Sequence, residues 1–394
     1  MKLLVATEFP PNASGGGPAV VRQMLKDWPV ENLFWWSCLP EYGQRFGQNI
    51  REDRCAAIPP KFYPNRKFTA IKSTFLEKIW TPRAARQLTR TLQELKPDVV
   101  WVIPHNWSIP PLAKALAATR QRYHVTMQDY VEVHDNPQRF GRARCERMAR
   151  MADELYARAT TRDATSYPMI ADLRARTGAD AAQMLHAGLE PEDFVFLQNK
   201  VSKRTDSIRI GYAGTILVEG VFELFVAALE SIRSALSKPV ELHLFGAHSY
   251  AERVWFKRDW ITEHGNLREA ELLTKLRECD WGIAPMALTD SDPRYNRFSF
   301  PTKFISYLAT GLPIITLGHP ESSVMKMAGQ YDVGLSTSAS DVNVLAEQLR
   351  TALSNHLPWE RHGKEIIRCA RAEFDAERMR RKLYECFKVC AQKA

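Results

Sequence analysis

Short apolar runs alternate along this chain with longer stretches of helical period, which is the pattern of stacked βαβ units. The runs at 2–7, 98–103, 207–212, 240–245, 280–284 and 312–317 predict buried parallel strands. Between two of them Val221, Leu224, Phe225, Ala228, Leu229, Ile232 and Leu236 recur at intervals of three and four, so one face of a helix there is apolar. The reading is an α/β chain with a doubly wound sheet, occurring twice.

Length supports the duplication. At 394 residues the chain exceeds what a single hydrophobic core usually serves. The polar stretch 197–206 precedes a new strand, and 184–194 reads as the last strand and turn of what comes before. This predicts one domain over 1–198 and a second over 206–370. In the final segment Met379, Leu383, Cys386, Phe387 and Cys390 share a helical face that must pack on something.

Composition narrows the class. With 45% hydrophobic and 25% charged residues the usage is that of a globular protein. No run has the apolar length of a membrane span, and the first residues enter a strand rather than a signal peptide, so the chain is expected in the cytoplasm. The seven cysteines are scattered without a CxxC pair, which predicts reduced thiols and no zinc. The net charge of +9 is concentrated in the first half, fitting an anionic substrate, an anionic surface or a solvated face. No zinc-finger, RNP or basic-zipper pattern accompanies that charge, so nucleic acid is not an expected partner.

Three segments carry candidate chemistry. After the first strand Pro10-Pro11-Asn12-Ala13-Ser14 runs into Gly15, Gly16 and Gly17, with a helix predicted from Pro18. Glycines ahead of a helix N-terminus let backbone amides approach an anion, and the helix dipole favours negative charge there. The second domain opens with a strand running into Gly214 and Thr215, as a crevice at the carboxyl ends of parallel strands requires. Neither GxGxxG nor a P-loop is present, which removes the usual support for a dinucleotide oxidoreductase or an NTPase. In the third segment, RYNRFSFPTKFISYLATGLPIITL, Pro301 opens a predicted helix and Gly311 ends it. Lys303 stands in its first turn, against the dipole, which suggests that it answers a bound anion together with Arg294 and Arg297.

PTKFISYLATGLPII resembles the donor-site element of the group 1, glycogen-synthase-like retaining glycosyltransferases. The Pro-Pro-Asn-x-Ser-Gly-Gly opening, 185–194, 211–220, Leu244-Phe245-Gly246 and 265–285 agree with that family in order and spacing. The resemblance implies a GT-B fold, two Rossmann-like domains facing a central cleft, with the last helix, 371–394, crossing back to the first domain. It implies a hexosyltransferase-like enzyme, retaining and metal-independent, moving sugar from a nucleotide-sugar co-substrate to a glycan or lipid-linked acceptor in cell-envelope or exported polysaccharide synthesis. No cofactor is implied.

Carried over, the resemblance places Gly16 and Gly17 at the donor phosphates from one side, and Gly214, Thr215, Lys303 and the amides near Thr302 from the other. Lys303 and Arg297 would stabilise the leaving diphosphate. Asp129 falls near the acceptor edge, where it would orient or deprotonate the incoming hydroxyl. A buried Asp capping a turn is the competing reading. Two positions depart from the family pattern. Val218-Glu219-Gly220 lacks a lysine, and Phe298 and Ser306 stand where the two glutamates of an E-x7-E pair would fall. Ser306 can still hydrogen-bond a ribose hydroxyl. These departures keep two alternatives open: a catalytically degenerate nucleotide-sugar or glycan-binding homologue, and a sugar-nucleotide epimerase.

Between 61 and 96 Lys and Arg, Arg66, Lys67 and Lys72 among them, interleave with Phe62, Tyr63, Phe68, Phe75 and Trp80. That mixture fits an interfacial helix on an anionic membrane surface, hence a peripheral protein on the inner face, or core aromatics beside solvated charge.

Overall fold

The structure is a computed structural model that describes all residues except Ser14, 41–47, 65–66, Asp135, 202–205, His356 and 393–394. Arg66 and Ser14 therefore lie outside the described residues. Two compact units emerge. The first comprises 1–187, 297–299 and 378–394, the second 188–296 and 300–377. The chain passes from one to the other ahead of the polar stretch 197–206.

The first unit is built on a six-stranded sheet in the order β3-β2-β1-β4-β5-β6. Its strands are β1 (Leu3–Thr7), β2 (Leu33–Ser37), β3 (Glu52–Cys55), β4 (Val99–Ile103), β5 (Tyr123–Met127) and β6 (Thr161–Ala164). All pairings are parallel, with Leu3 opposite both Leu33 and Val99. Every residue of β1, β2 and β4 is buried, which is why β1 and β4 read as continuous apolar runs. The final helix, Ala376–Ala391, lays its apolar face on this sheet from 378 onward. Phe387 packs on Trp101 and His124, and Tyr384 donates to the Met24 carbonyl at 3.0 Å.

The second unit repeats the plan in the order β12-β11-β10-β7-β8-β9. Its strands are β7 (Ile208–Ala213), β8 (Val240–Phe245), β9 (Ile261–Glu263), β10 (Trp281–Pro285), β11 (Ile314–Leu317) and β12 (Ser336–Thr337). The predicted amphipathic helix spans Glu219–Ile232 and buries Phe222, Phe225, Val226, Ala228, Leu229 and Ile232. Gly282 on β10 faces the Tyr307 ring so closely that a Cβ would stand 2.6 Å from it.

Two local expectations change. The glycine-loop helix spans Gly16–Met24, starting at the glycines rather than at Pro18. The segment read as a last strand makes two isolated bridges, Met184 to Ala164 and Leu189 to Asp375, and its end is the helix Pro191–Asn199. Glu190 and Asp193 form a capping box there, which outweighs the β-leaning Phe-Val-Phe. Asp292 to Phe298 also carries a short helix, Pro293–Phe298.

Candidate functional site

In an open parallel sheet the ligand crevice lies at the carboxyl ends of the two neighbouring strands where the winding reverses. The first sheet reverses between β1 and β4, the second between β7 and β10.

In the first unit Glu8 follows β1 directly and is 3% exposed. Its Oε2 accepts from His105 Nδ1 at 2.7 Å and from Asn106 Nδ2 at 3.1 Å, and its Oε1 from the Trp107 amide at 3.3 Å. His105 and Asn106 come two and three residues past β4, and Asn106 takes a φ of 41°, a conformation that Asn tolerates better than most residues. Burial works against the charged imidazole. The Glu8 hydrogen bond and charge, joined by the charge of Asp129, outweigh it and raise the His105 pKa above its ordinary value.

The glycine loop lies beside this cluster in the sequence of the same unit. Trp35 Nε1 donates to Thr7 Oγ1 at 3.2 Å and to the Phe9 carbonyl at 3.1 Å, and Arg22 to the Ala13 carbonyl at 2.6 Å, so the turn is tied down at both ends. Gly15 has a φ of 113° and no side chain caps the helix that follows among the described residues. Gly17 packs on Gln128, whose Oε1 would lie 2.5 Å from an added Cβ. Next to Gln128, Asp129 Oδ1 accepts from Ser299 Oγ at 2.6 Å. Ser166 Oγ donates to the Phe298 carbonyl at 2.6 Å, and Phe298 meets Tyr130 edge-on at 5.3 Å. The tripeptide Arg297-Phe298-Ser299 is thereby anchored at the ends of β5 and β6.

In the second unit Gly214 follows β7 with a φ of 95°, its amide bonded to the Phe245 carbonyl at 2.7 Å. Gly246 must also be glycine-sized, because a Cβ there would be 2.7 Å from the Gly214 carbonyl. Thr215 lies within 3.3 Å of His248 through its hydroxyl, and its carbonyl accepts from Tyr212 at 2.6 Å. The helix Thr302–Thr310 begins after Pro301, with no side-chain cap, and ends on Gly311 at φ 64°. Lys200 closes that end by donating to the Thr310 and Gly311 carbonyls, each at 2.8 Å. Ser306 Oγ bonds weakly back to the Thr302 carbonyl at 3.5 Å.

Lys303 is the telling residue. Its Nζ donates to the Tyr212 hydroxyl at 2.6 Å and lies 4.1 Å from the centroid of that ring, with no carboxylate among the described residues bonded to it. Burial alone pushes its pKa down to about 7. A half-buried lysine held by a neutral phenol, in the first turn of an uncapped helix, is suited to pairing with an anion. The Tyr307 hydroxyl fixes the neighbouring backbone, accepting from the Ala213 amide at 3.0 Å and donating to the Ile283 carbonyl at 3.1 Å.

The second-unit residues singled out from sequence, Gly214, Thr215, Pro301, Thr302, Lys303 and Ser306, thus belong to one unit and, Ser306 aside, to its strand and helix ends. Arg297 and Asp129 belong to the first unit, with Gly15, Gly16 and Gly17. Glu219, which stands in for a lysine, begins the helix Glu219–Ile232 and is paired with Arg253 at 2.9 Å. The sequence reading missed Glu8, His105 and Asn106, and Tyr212 as the partner of Lys303. Among the described residues no three His, Cys, Asp or Glu side chains gather as a metal-ligand set.

No family model and no curated protein matches the chain. Solved structures do. A sucrose-phosphate synthase from Thermosynechococcus elongatus is 16% identical, with 98% of each chain covered and a TM-score of 0.70. A UDP-forming alpha,alpha-trehalose-phosphate synthase from Burkholderia xenovorans, in complex with glucose-6-phosphate, is 14% identical over 98% of this chain and 100% of that one, with a TM-score of 0.65. An E. coli structure described as trehalose-6-phosphate bound with UDP-2-fluoro glucose is 12% identical over 100% of both chains, again with a TM-score of 0.65. Two parallel six-stranded Rossmann-like units matched along their whole length to these structures give the chain the GT-B fold.

Proposed function

We propose that this protein is a glycosyltransferase that takes a hexosyl group from a nucleotide-sugar donor whose diphosphate binds at Lys303 in the second unit. The carrying observation is the half-buried Lys303, bonded to the Tyr212 hydroxyl and to no carboxylate among the described residues, in the first turn after the uncapped Thr302 end. The neighbours named as UDP-forming or as bound to a UDP sugar support a donor of that class. Thr215 and the amides at Thr302 and Lys303 would hold phosphate oxygens, and Ser306 a ribose hydroxyl. The cation and helix dipole stabilise the leaving diphosphate, so activity should survive chelation. Retention of configuration is supported by the sequence resemblance.

The acceptor is proposed to be a glycan or a lipid-linked sugar. Phe68, Ile71 and Ile79 are 72%, 66% and 43% exposed, with Lys67 and Lys78 exposed beside them in the sequence. Apolar side chains among lysines fit an anionic membrane surface. The competing reading is a binding protein without turnover, favoured by Phe298 packing on Tyr130 where a glutamate is expected. Both readings bind donor. A thermal-shift screen of nucleotide sugars should show stabilisation, about 2.7 kcal/mol at a hundred times Kd, and nucleotide release from the bound donor decides between them. A screen without any shift would sink both.

A further inference from the structure

We infer that Tyr212 is a positioning residue of the proposed diphosphate site, holding the Lys303 ammonium and the 214–216 turn in one fixed arrangement. This rests on the glycosyltransferase reading and assigns a residue that acts through Lys303 and the turn, all within the second unit.

Both sides of the Tyr212 hydroxyl are in use. Its proton goes to the Thr215 carbonyl at 2.6 Å, so the oxygen is left to accept from Lys303 Nζ, also at 2.6 Å. One hydroxyl thereby bridges the turn after β7 and the first turn of the helix Thr302–Thr310. An ammonium carries three N–H groups, and with one of them on Tyr212 two remain for phosphate oxygens. The Tyr212 ring is buried and meets Phe222 edge-on at 5.0 Å, so it keeps its place whatever the lysine does. Burial also holds its hydroxyl in the protonated form.

Two further phenols complete the frame. Tyr307 takes the Ala213 amide at 3.0 Å, and Tyr250, in the segment after β8, takes the Ile216 amide at 2.9 Å. Along 213–216, then, two amides and the Thr215 carbonyl all end on tyrosine hydroxyls, each from a different element. Tyr250 is held from behind by Glu263, which accepts from its amide and, at 2.9 Å, from Ser249. These hydroxyls fix the turn without placing any charge on it, so its geometry is set in advance and its attraction for an anion is kept. Among the described residues only Tyr212 of the three also meets Lys303, which is what makes it the coupling between cation and turn.

The test measures the affinity of the full chain for uridine and guanosine diphosphates by calorimetry across neutral and mildly alkaline pH, with thermal unfolding to confirm that each variant folds. The titratable groups facing Tyr212 are the phenols of Tyr250, Tyr295 and Tyr307, and burial alone brings Lys303 to about 7. His248, against the Thr215 hydroxyl, is the same in every variant. Tyr212→Phe keeps the ring and removes only the oxygen. It should weaken diphosphate binding about 10-fold, and because the ammonium has lost an acceptor its pKa falls, so affinity should begin to drop at a lower pH than in the wild type. Tyr250→Phe loosens the same turn without reaching Lys303 and should weaken binding by one factor at every pH. In a Lys303→Met background the pH shift caused by Tyr212→Phe should vanish. Wild-type affinity in folded Tyr212→Phe, or a loss that is equal at every pH, would overturn the inference and leave the transferase reading standing. A wild type that binds neither diphosphate would overturn both.

Discussion

The two switch points solve opposite electrostatic problems with the same topology. In the first unit every charge found at the strand ends is answered within the protein: Glu8 by His105, Asn106 and an amide, Asp129 by Ser299. In the second, Lys303 has, among the described residues, only the Tyr212 hydroxyl and ring. A compensated carboxylate–imidazole pair can exchange a proton at little cost. A half-buried lysine paired with a phenol instead has a charge to offer an anion, part of its desolvation having been met on folding. The difference separates a unit whose strand-end carboxylates are satisfied internally from one that, under the proposed function, offers a cation to a diphosphate.

The largest effect should come from removing that cation. Lys303→Ala is expected to weaken nucleoside-diphosphate binding by about 1.5 to 3 kcal/mol, the range of a charge-assisted hydrogen bond, with the melting temperature of the free protein unchanged or raised. Calorimetry and thermal unfolding check both, and an unchanged affinity would erase the contrast. Next comes the frame. Gly282→Ala puts a methyl into the Tyr307 ring, so Tyr307 must shift and release the Ala213 amide. Denaturant unfolding should show a loss of about 1 to 3 kcal/mol, with weaker diphosphate binding although no charge has changed. Smaller still, Asp129→Ala removes the hydrogen bond from Ser299 Oγ, at about 1 kcal/mol of stability, while Asp129→Asn keeps a carbonyl there and should cost less. Neither should alter diphosphate affinity. If Asp129→Asn instead abolishes donor turnover, Asp129 takes part in the chemistry rather than anchoring 297–299.

What was legible in the sequence follows from what each segment buries. β1, β4, β7, β8, β10 and β11 bury apolar letters and were readable as runs; β2, Leu33–Ser37, is as apolar and as buried and was missed all the same. β5 and β6 were not, since their shared core is polar: His124 and Asp163 are both wholly buried and bonded at 3.1 Å, Thr161 takes the other imidazole nitrogen at 2.8 Å, and Trp101 donates to Thr126 at 2.9 Å. Such partners satisfy one another only after the strands have paired, so no single segment announces them. β3 is a charged edge, and β9 and β12 are too short for a period to show.

The site divides the same way. Pro301, Lys303 and Gly311 lie within one helix and its caps, so local rules found them. Glu8 and His105 are 97 positions apart and meet only because β1 and β4 are neighbours. Their common signal was position, each standing just past the carboxyl end of a predicted strand. Tyr212, likewise, was read as a buried strand residue because its hydroxyl's partner is 91 positions away.

The central claim is that Lys303 waits as a partly neutral amine for a diphosphate. Its folded pKa of about 7 lies below the unfolded 10.5, so between those values the free folded protein binds fewer protons than the unfolded chain and gains stability as pH rises. A bound diphosphate should pull that pKa back up. Calorimetric titration of the protein with uridine and guanosine diphosphates at pH 8, in buffers of different ionisation enthalpy, measures the protons taken up on binding. Net uptake is predicted for the wild type, and its loss together with weaker binding in Lys303→Met. Tight binding with no uptake, or uptake that is equal in the two proteins, would contradict the account.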